Sequence, residues 1–315
     1  MDFPGVGPWG ALVAVWAIEA IWLLMSERLS LDLSSVRMVL LAAGLTVFFA
    51  SYCRSRSDLR LRRLTVPLIG ALFIILAFTS LRVLNHLTMS IPFPLADDSL
   101  ANLDAMLGLD WLAYAAWVAA HPLIVAAFEL AYTGLALVVL AAFVTLWAVG
   151  RIDRAKEFVR LVFATGLAAT AIGAFFPAKA AMDRFALPNM KDIFGPAAGV
   201  YHLPYLQSLR SGLPHVLNLQ ELPGLVVIPS FHTACALLIM YSCRGITILQ
   251  ILSIFYSVVL IASTPIMGGH YFIDLVGGGI LVAAVLFADR RLRFPVGATL
   301  HQVARPANEM TTQVR

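Results

Sequence analysis

The sequence predicts an all-α integral membrane protein, and its composition is the first observation that supports this class. Of its 315 residues, 60% are hydrophobic and only 13% are charged, whereas about 25% of the residues in a soluble domain are charged. The apolar residues are also gathered into runs long enough to cross the roughly 30 Å of hydrocarbon in a bilayer. We predict about eight transmembrane helices, of which six form a core and two precede it.

The predicted helices divide the chain into three parts. Residues 1–64 contain two helices and a basic turn, residues 65–293 contain the six-helix core, and residues 294–315 form a cytoplasmic tail. Between the third and fourth runs, the stretch LDWLAYAAWVAAH predicts a short helix in the membrane interface, either as a spacer or as a substrate lid. The eight runs lie at residues 9–25, 38–53, 66–84, 123–149, 158–176, 226–241, 246–262 and 271–288.

Basic residues cluster in alternate connections, and this pattern sets the predicted orientation. Five arginines lie between residues 54 and 63, and further clusters follow the fourth, sixth and eighth runs. The segment 85–122 contains no Lys or Arg. Because short cytoplasmic loops are rich in Lys and Arg, we expect both termini to be cytoplasmic. Segments 85–122 and 177–225 are then long loops on the outer side.

The first polar motif of the core is VVIPSFHTACALLIM, at residues 226–240. Pro229 precedes a predicted helix start, and Ser230 is a good N-cap. His232 then falls in the first turn of the helix, where unpaired backbone N–H groups and the helix dipole attract an anion.

A second motif, GGHYFID, opens the last apolar run. Gly269 allows close backbone approach, and His270 and Asp274 are four residues apart on one face of a helix. Both motifs start helices on the same side, because one hairpin of two spans separates them. We therefore expect His232 and His270 to converge on one anion-binding pocket near the lipid surface.

This set of side chains suits phosphoryl transfer. An imidazole whose far nitrogen donates to a carboxylate is held in one tautomer, and its other nitrogen is free to attack phosphorus. A second histidine can protonate the departing alkoxide and later deprotonate the incoming acceptor.

The motifs IPSFHTA and GGHYFIDLVGG resemble the second and third signature motifs of the type-2 phosphatidic acid phosphatase superfamily. The members of this superfamily are membrane enzymes that form a phosphohistidine without a metal. The resemblance implies a phosphatase-type core with His270 as nucleophile, Asp274 as its orienting partner and His232 as general acid and base. Ser230 and Gly269 would lie against the phosphate.

Two departures from the superfamily pattern favour one branch of it. Ser263 and Thr264 stand where the third motif usually has Ser-Arg, so a phosphate-binding arginine is missing, and Phe231 replaces the usual glycine of the second motif. Both departures resemble the inositolphosphotransferase branch. The upstream segment PLADDSLANLDAMLGLDW also resembles that branch, which contains fungal inositol phosphorylceramide synthase.

The first signature motif, a lysine followed seven residues later by Arg-Pro, is not intact in FFPAKAAMDRFALPN. Lys179 and Arg184 are the nearest candidates for phosphate binding. Lys191 and Arg210 lie in the same loop and could serve instead, because a dianionic phosphate without a metal needs a nearby cation.

The remaining ionisable side chains are expected to be structural. Glu19 and Glu129 lie within apolar runs, where we expect a hydrogen bond or an ion pair. The three cysteines form no C-x-x-C pattern, so we predict no metal site and no cofactor. Four histidines fall in the outer loops and are expected at the surface rather than as ligands: His86, His121, His202 and His215.

The leading hypothesis is an enzyme that transfers a phosphoryl or phospho-head group from a lipid phosphate or phospholipid at the outer leaflet, with an alcohol as acceptor. Hydrolysis in the same pocket is the alternative. A bis-histidine haem protein and a lipid transporter are alternatives of other classes, although Ser230 has no role in a haem site and we find no inverted repeat. Nothing indicates a nucleic-acid surface, and the oligomeric state cannot be read from the sequence.

Overall fold

The computed structural model describes residues 3–185, 190–195 and 198–293, and these form a helical protein with one pair of short strands. The predicted all-α membrane class is confirmed. The predicted tail, residues 294–315, lies outside the described residues. In chain order the elements are α1 (Val6–Met25), β1 (Leu29–Leu31), α2 (Leu33–Ser55), α3 (Leu59–Arg63), α4 (Thr65–Met89), α5 (Asp97–Met106), α6 (Trp111–Ala119), α7 (Pro122–Thr133), α8 (Leu135–Ala148), α9 (Ile152–Phe175), α10 (Ala181–Phe185), α11 (Met190–Phe194), α12 (Leu203–Arg210), β2 (His215–Leu217), α13 (Phe231–Cys243), α14 (Thr247–Met267) and α15 (Phe272–Arg293).

Within the described ranges, six helices are long and apolar enough to cross a membrane, namely α1, α2, α3 with α4, α9, α14 and α15. The other two apolar runs form shorter helices: α13 has 13 residues, and the predicted run 123–149 is divided into α7 and α8. Large apolar side chains such as Phe48 and Phe255, each 72% exposed, point away from the protein. An exposed apolar surface of this kind is typical of a face that contacts lipid.

The division of the fourth run occurs at Gly134, between α7 and α8. The Gly134 N–H donates to the Leu130 carbonyl and the Gly134 carbonyl accepts from the Val138 N–H, both at 3.0 Å. Backbone hydrogen bonding therefore continues through the break. Before α7, the short helix α6 forms as predicted, and its axis is bent by 108° from that of α7.

The two long loops fold over the helix ends that carry the histidine motifs, and we call this part of the molecule the histidine end. The Ala96 N–H donates to the Pro177 carbonyl at 2.8 Å, which joins the two loops, and the Gly199 N–H donates to the Met267 carbonyl at 2.9 Å. Strand β1 pairs in parallel with β2, with Leu29 opposite His215. Hydrogen bonds thus join the described parts of the predicted outer connections to each other and to the helix ends.

The opposite ends of the helices carry the basic clusters, and we call this part the basic end. Arg160, near the start of α9, forms a two-bond ion pair with Asp289 near the end of α15, at 2.9 and 3.1 Å. Arg154 donates to the Arg244 carbonyl in the turn after α13. The clusters that follow the fourth, sixth and eighth runs therefore lie at the same end of the helices.

Two histidines that we expected at the surface are buried, so that expectation is wrong for them. His86 is fully buried at the end of α4, where its Nδ1 is hydrogen-bonded to the Arg82 carbonyl at 2.9 Å. His202 is 2% exposed. The physical reason is that the loop 177–225 packs onto the helix ends instead of extending into solvent. His121 is exposed as expected, and His215 is half-buried.

The two carboxylates of the apolar runs differ in their surroundings. Ser80 on α4 donates to the buried carboxylate of Glu19 on α1 at 2.7 Å, so the predicted structural hydrogen bond of Glu19 is confirmed. The Glu129 side chain is exposed and has no hydrogen bond or ion pair among the described residues. It instead faces the cavity described next.

Candidate active site

The start of α13 is built as its sequence predicts. Ser230 has an extended backbone and caps the helix, with its Oγ accepting the Thr233 N–H at 3.4 Å. The Ser230 N–H donates to the Asp274 carbonyl at 3.0 Å, which ties the start of α13 to the first turn of α15. His232 is the second residue of α13 and is half-buried.

His270 lies two residues before the start of α15, and Asp274 lies in the first turn of that helix. The His270 Nδ1 is 3.3 Å from the Asp274 Oδ2, and this oxygen also accepts the Tyr271 N–H at 2.8 Å. Both side chains are buried, at 3% and 0% exposure. In the neutral ring, the nitrogen that faces a carboxylate is the protonated one, so the lone pair of that tautomer lies on the other nitrogen, Nε2. It lies 3.5 Å from the Ser230 Oγ.

The two histidine rings face one another at the histidine end. Their centroids are 6.4 Å apart, with the ring planes at 63°. Tyr132 of α7 stacks on the His232 ring, with centroids 4.0 Å apart and planes at 12°, and its hydroxyl lies 3.2 Å from that of Tyr201. The sequence predicts the meeting of the histidines but did not single out either tyrosine.

A cavity of about 610 Å³ opens between the rings and the second long loop. This volume is within the range of small-molecule sites, which are about 300–1,000 Å³. Most of the lining is apolar, as is usual for a small-molecule site. The polar side chains of the lining are Arg82, Asn85, Glu129, Tyr132, Thr133, Thr170, Tyr201, His202, His232 and His270.

The backbone around His270 is held by the first long loop. The Trp111 indole donates to the His270 carbonyl at 3.2 Å, and the Asp104 carboxylate accepts the N–H groups of Phe272 and Ile273, both at 2.8 Å. Burial raises the pKa of the Asp104 carboxyl, and these two hydrogen bonds act against that effect. We call these contacts, together with the hydrogen bond from the Tyr271 hydroxyl to Asp97 at 3.0 Å, the 97–111 clamp.

The second long loop contributes His202, which lines the cavity. Its Nε2 donates to the Lys179 carbonyl at 2.5 Å. Burial lowers the pKa of His202, and the hydrogen bond to this carbonyl opposes that effect. The ring is therefore favoured in its neutral form, and it contributes shape rather than charge to the cavity.

The cations predicted to bind phosphate lie away from the cavity lining. The Lys179 ammonium is 3.4 Å from the Asp183 carboxylate, and Arg184 forms an ion pair with Asp98. Arg210 donates to the Phe93 carbonyl at 2.8 Å. The side chain of Lys191 lies outside the described residues. The roles of Lys179 and Arg184 as phosphate ligands stay predictions.

Gly269 adopts a positive φ of 69°, which favours glycine. A Cβ at this position would lie 2.3 Å from the Gly199 carbonyl oxygen. The close approach predicted for this glycine therefore occurs against the second long loop, and its approach to a phosphate stays a prediction.

Two further polar residues of the cavity, Arg82 and Asn85 of α4, are not among the site residues that the sequence predicts. A signal was present for Arg82, because an ionisable side chain within an apolar run is a functional candidate.

The fold and the site together define an integral membrane protein with a histidine–aspartate pair, a second histidine and a cavity at one end of its helices. Residues 98–288 match the PAP2 superfamily. Because the match covers more than half of the chain, the chain belongs to the PAP2 superfamily, and this membership supports lipid chemistry of the phosphatase or phosphotransferase type. No curated protein and no solved structure matches the chain.

Proposed function

We propose that the chain is a metal-independent lipid phosphotransferase that carries a phosphoryl or phospho-head group on His270. The observation that carries this proposal is the geometry of that ring. Its Nδ1 is bound to Asp274, and its Nε2 is directed to the space beside Ser230 and His232. A buried imidazole fixed in one tautomer at a cavity wall has the form of an activated nucleophile.

In the first half of the reaction, the lone pair of the His270 Nε2 attacks phosphorus and forms an N–P bond. The bond from phosphorus to the ester oxygen of the lipid breaks, and that oxygen receives a proton from His232, whose protonated form the negative charge of the bound phosphate stabilises. Asp274 keeps the proton on Nδ1 and offsets the positive charge that the ring acquires. The Ser230 hydroxyl is placed to donate to a phosphate oxygen.

In the second half, neutral His232 takes a proton from the hydroxyl group of the acceptor. The acceptor oxygen attacks phosphorus, the N–P bond breaks, and its electron pair returns to the His270 Nε2. Water as acceptor gives hydrolysis, whereas an alcohol such as inositol or a ceramide hydroxyl gives transfer. Both outcomes use the same residues, so the acceptor that fits the cavity decides between them.

Two features support transfer to an alcohol. The second long loop covers the rings and encloses a volume much larger than a water molecule needs. The replacements at Phe231 and Thr264 resemble the inositolphosphotransferase branch. Hydrolysis is the second candidate, because the superfamily match supports phosphatase chemistry equally.

Purified protein incubated with a panel of lipid phosphates and phosphoinositides tests this proposal. Free phosphate and new phospholipid products are measured in parallel, with and without added alcohols. We expect His270→Ala and His232→Ala each to lower turnover at least about 10³-fold, and vanadate to inhibit the wild type.

His121→Ala is the matched control, because His121 is an exposed histidine of the first long loop. It should retain wild-type turnover. Full turnover in the His270→Ala protein would refute the phosphohistidine, and a Soret band in the purified wild type would favour the haem alternative instead.

A further inference from the structure

A phosphate held at the cavity needs positive charge, and the expected sources do not provide it. Thr264 stands where the superfamily motif has arginine, and its hydroxyl donates to the Ile261 carbonyl at 2.8 Å. Lys179 and Arg184 are paired with carboxylates outside the cavity lining. The transferred phosphoryl group of the proposed function, on which this inference rests, therefore lacks a cation from the motifs.

Helix α4 presents a cation to the cavity from outside the matched residues 98–288. Arg82 and Asn85 are three residues apart on one face of this helix and both line the cavity. Arg82 is half-buried, and among the described residues its guanidinium group has no hydrogen bond and no ion pair. A guanidinium group carries five N–H donors, whose planar arrangement fits the oxygens of a phosphate.

Asn85 supplies a second donor without a partner. Its side chain is 4% exposed, and its Oδ1 accepts the Leu225 N–H at 2.7 Å, which fixes the orientation of the amide. The Nδ2 is buried and has no hydrogen-bond partner within the described ranges. A buried donor left unpaired is costly, so a ligand that accepts from Nδ2 would complete this site.

An arginine near the end of a transmembrane helix commonly extends to the lipid head groups, but the position of Arg82 differs from that case. Its side chain lines a cavity within the protein, and Leu81 and Val83 on either side are buried. Glu129 lines the same cavity, yet no ion pair joins it to Arg82 in the described part of the chain. The positive charge is therefore available to a ligand.

A chain of contacts connects this part of the cavity to the reacting histidines. Tyr201 lines the same cavity as Arg82, and its hydroxyl is 3.2 Å from that of Tyr132. Tyr132 in turn stacks on His232. We propose that Arg82 and Asn85 bind the non-bridging oxygens of the phosphate that His270 attacks, in place of the arginine missing at position 264.

Vanadate is the probe for this site, because it takes the geometry of phosphorus during transfer. Arg82→Gln should weaken vanadate inhibition about 10- to 100-fold, since charge-assisted hydrogen bonds are lost. Arg82→Lys should weaken vanadate inhibition less than Arg82→Gln does, because lysine keeps the positive charge although it lacks the planar donors. Asn85→Asp keeps the oxygen that binds Leu225 and removes the donor, so it should also weaken inhibition.

Arg37→Gln is the control variant, because Arg37 is an exposed arginine near the histidine end of α2. It should leave vanadate inhibition unchanged. Each variant is also melted with and without vanadate. A stabilisation by vanadate that is lost in Arg82→Gln, at an unchanged melting temperature of the free protein, separates ligand binding from a structural role.

A labelling experiment does not depend on the folding of any Arg82 variant. Phenylglyoxal modification of Arg82 in the wild type, mapped by mass spectrometry, should be slowed by low concentrations of vanadate, while modification of Arg37 is unaffected. The protection should be lost in His270→Asn. If Arg82 instead contacts bulk lipid head groups, the rate of its modification should depend neither on vanadate nor on His270.

The outcomes distinguish this inference from the proposed function. A wild type that turns over lipid phosphate and binds vanadate, but whose Arg82 is unprotected or whose Arg82→Gln variant is inhibited normally, refutes the Arg82 site alone. Protection that survives unchanged in His270→Asn would place the anion away from the reacting nitrogen and also refute it. A wild type without turnover and without vanadate binding refutes both.

Discussion

At the scale of single residues, the proposed mechanism makes the reactivity of His270 depend on Asp274. One of its oxygens accepts both from the His270 ring and from the Tyr271 N–H. The ring is therefore held by a group that is itself fixed to the backbone. Removing the carboxylate charge should leave the fold in place and disturb only the protonation of the ring.

We expect Asp274→Asn to lower kcat about 10²- to 10⁴-fold, because an amide can hold the ring in the wrong tautomer and cannot offset its positive charge. Phosphate release or phospholipid formation by purified protein measures this. Asp153→Asn, which removes an exposed carboxylate at the basic end, is the control and should keep full activity. Equal turnover in both variants would contradict the role of Asp274.

The residues of the site differ in how far the sequence could predict them. Ser230, His232, His270 and Asp274 lie in two short motifs, each at a helix start, so local signals are sufficient to bring them together. The burial of His202 depends on how a loop of about fifty residues folds, and no local pattern encodes that. Arg82 could not be predicted as a site residue from its own stretch of sequence, because the cavity that it lines is built by α7, α13 and the second long loop.

At the scale of elements, α13 and α15 cross beside the candidate site at Gly278. A Cβ at this position would lie 2.6 Å from the Ser230 carbonyl oxygen and 3.1 Å from the Thr233 Cβ. Gly279, the next residue, would meet only a side-chain atom of Leu237, at 3.9 Å. These neighbouring glycines therefore form a matched pair for an experiment.

Gly278→Ala should force the two helices apart, with a cost of about 1–3 kcal/mol in stability, and should lower turnover because Ser230 moves relative to His270. Gly279→Ala should be neutral or slightly stabilising, since alanine favours the helix. Thermal unfolding and turnover of both purified variants measure the difference. Equal unfolding temperatures and equal turnover in the two variants would show that the contact between α13 and α15 tolerates a methyl group.

The start of α13 is predicted better by its capping residues than by its apolar run. The apolar run 226–241 suggests a helix from its first residue, but α13 begins at Phe231, where Pro229 and Ser230 place the helix start. Capping residues mark the start because they satisfy backbone donors, whereas hydropathy only reports burial. The β1–β2 pair is not predicted, because two strands of three residues each form only through contact between distant segments.

At the scale of the whole molecule, the basic clusters and the histidine motifs occupy opposite ends of the helices. The proposed orientation places the basic end in the cytoplasm, because short cytoplasmic loops are rich in Lys and Arg. The exposed residues Ser57 and Ser99 lie at the basic and the histidine ends respectively. The native cysteines Cys53, Cys235 and Cys243 are all buried.

A maleimide that cannot cross membranes should label Ser99→Cys in intact cells, and should label Ser57→Cys only after the membrane is opened. The wild type gives the background, because its three cysteines are buried. If only Ser57→Cys is labelled in intact cells, the orientation is the reverse of the proposed one. If both variants are labelled, the protein does not have a single orientation.

The 97–111 clamp has a consequence for the order in which activity and helical structure are lost on heating. The proposed nucleophile, His270, is positioned by residues 97–111, most of which are exposed, and segments with few buried contacts open at lower free energy than a helical bundle. Catalytic inactivation should therefore precede the loss of helical circular dichroism and should reverse on cooling. Asp104→Ala should widen the interval between the two temperatures, whereas their coincidence would indicate that surface segment and bundle melt as one cooperative unit.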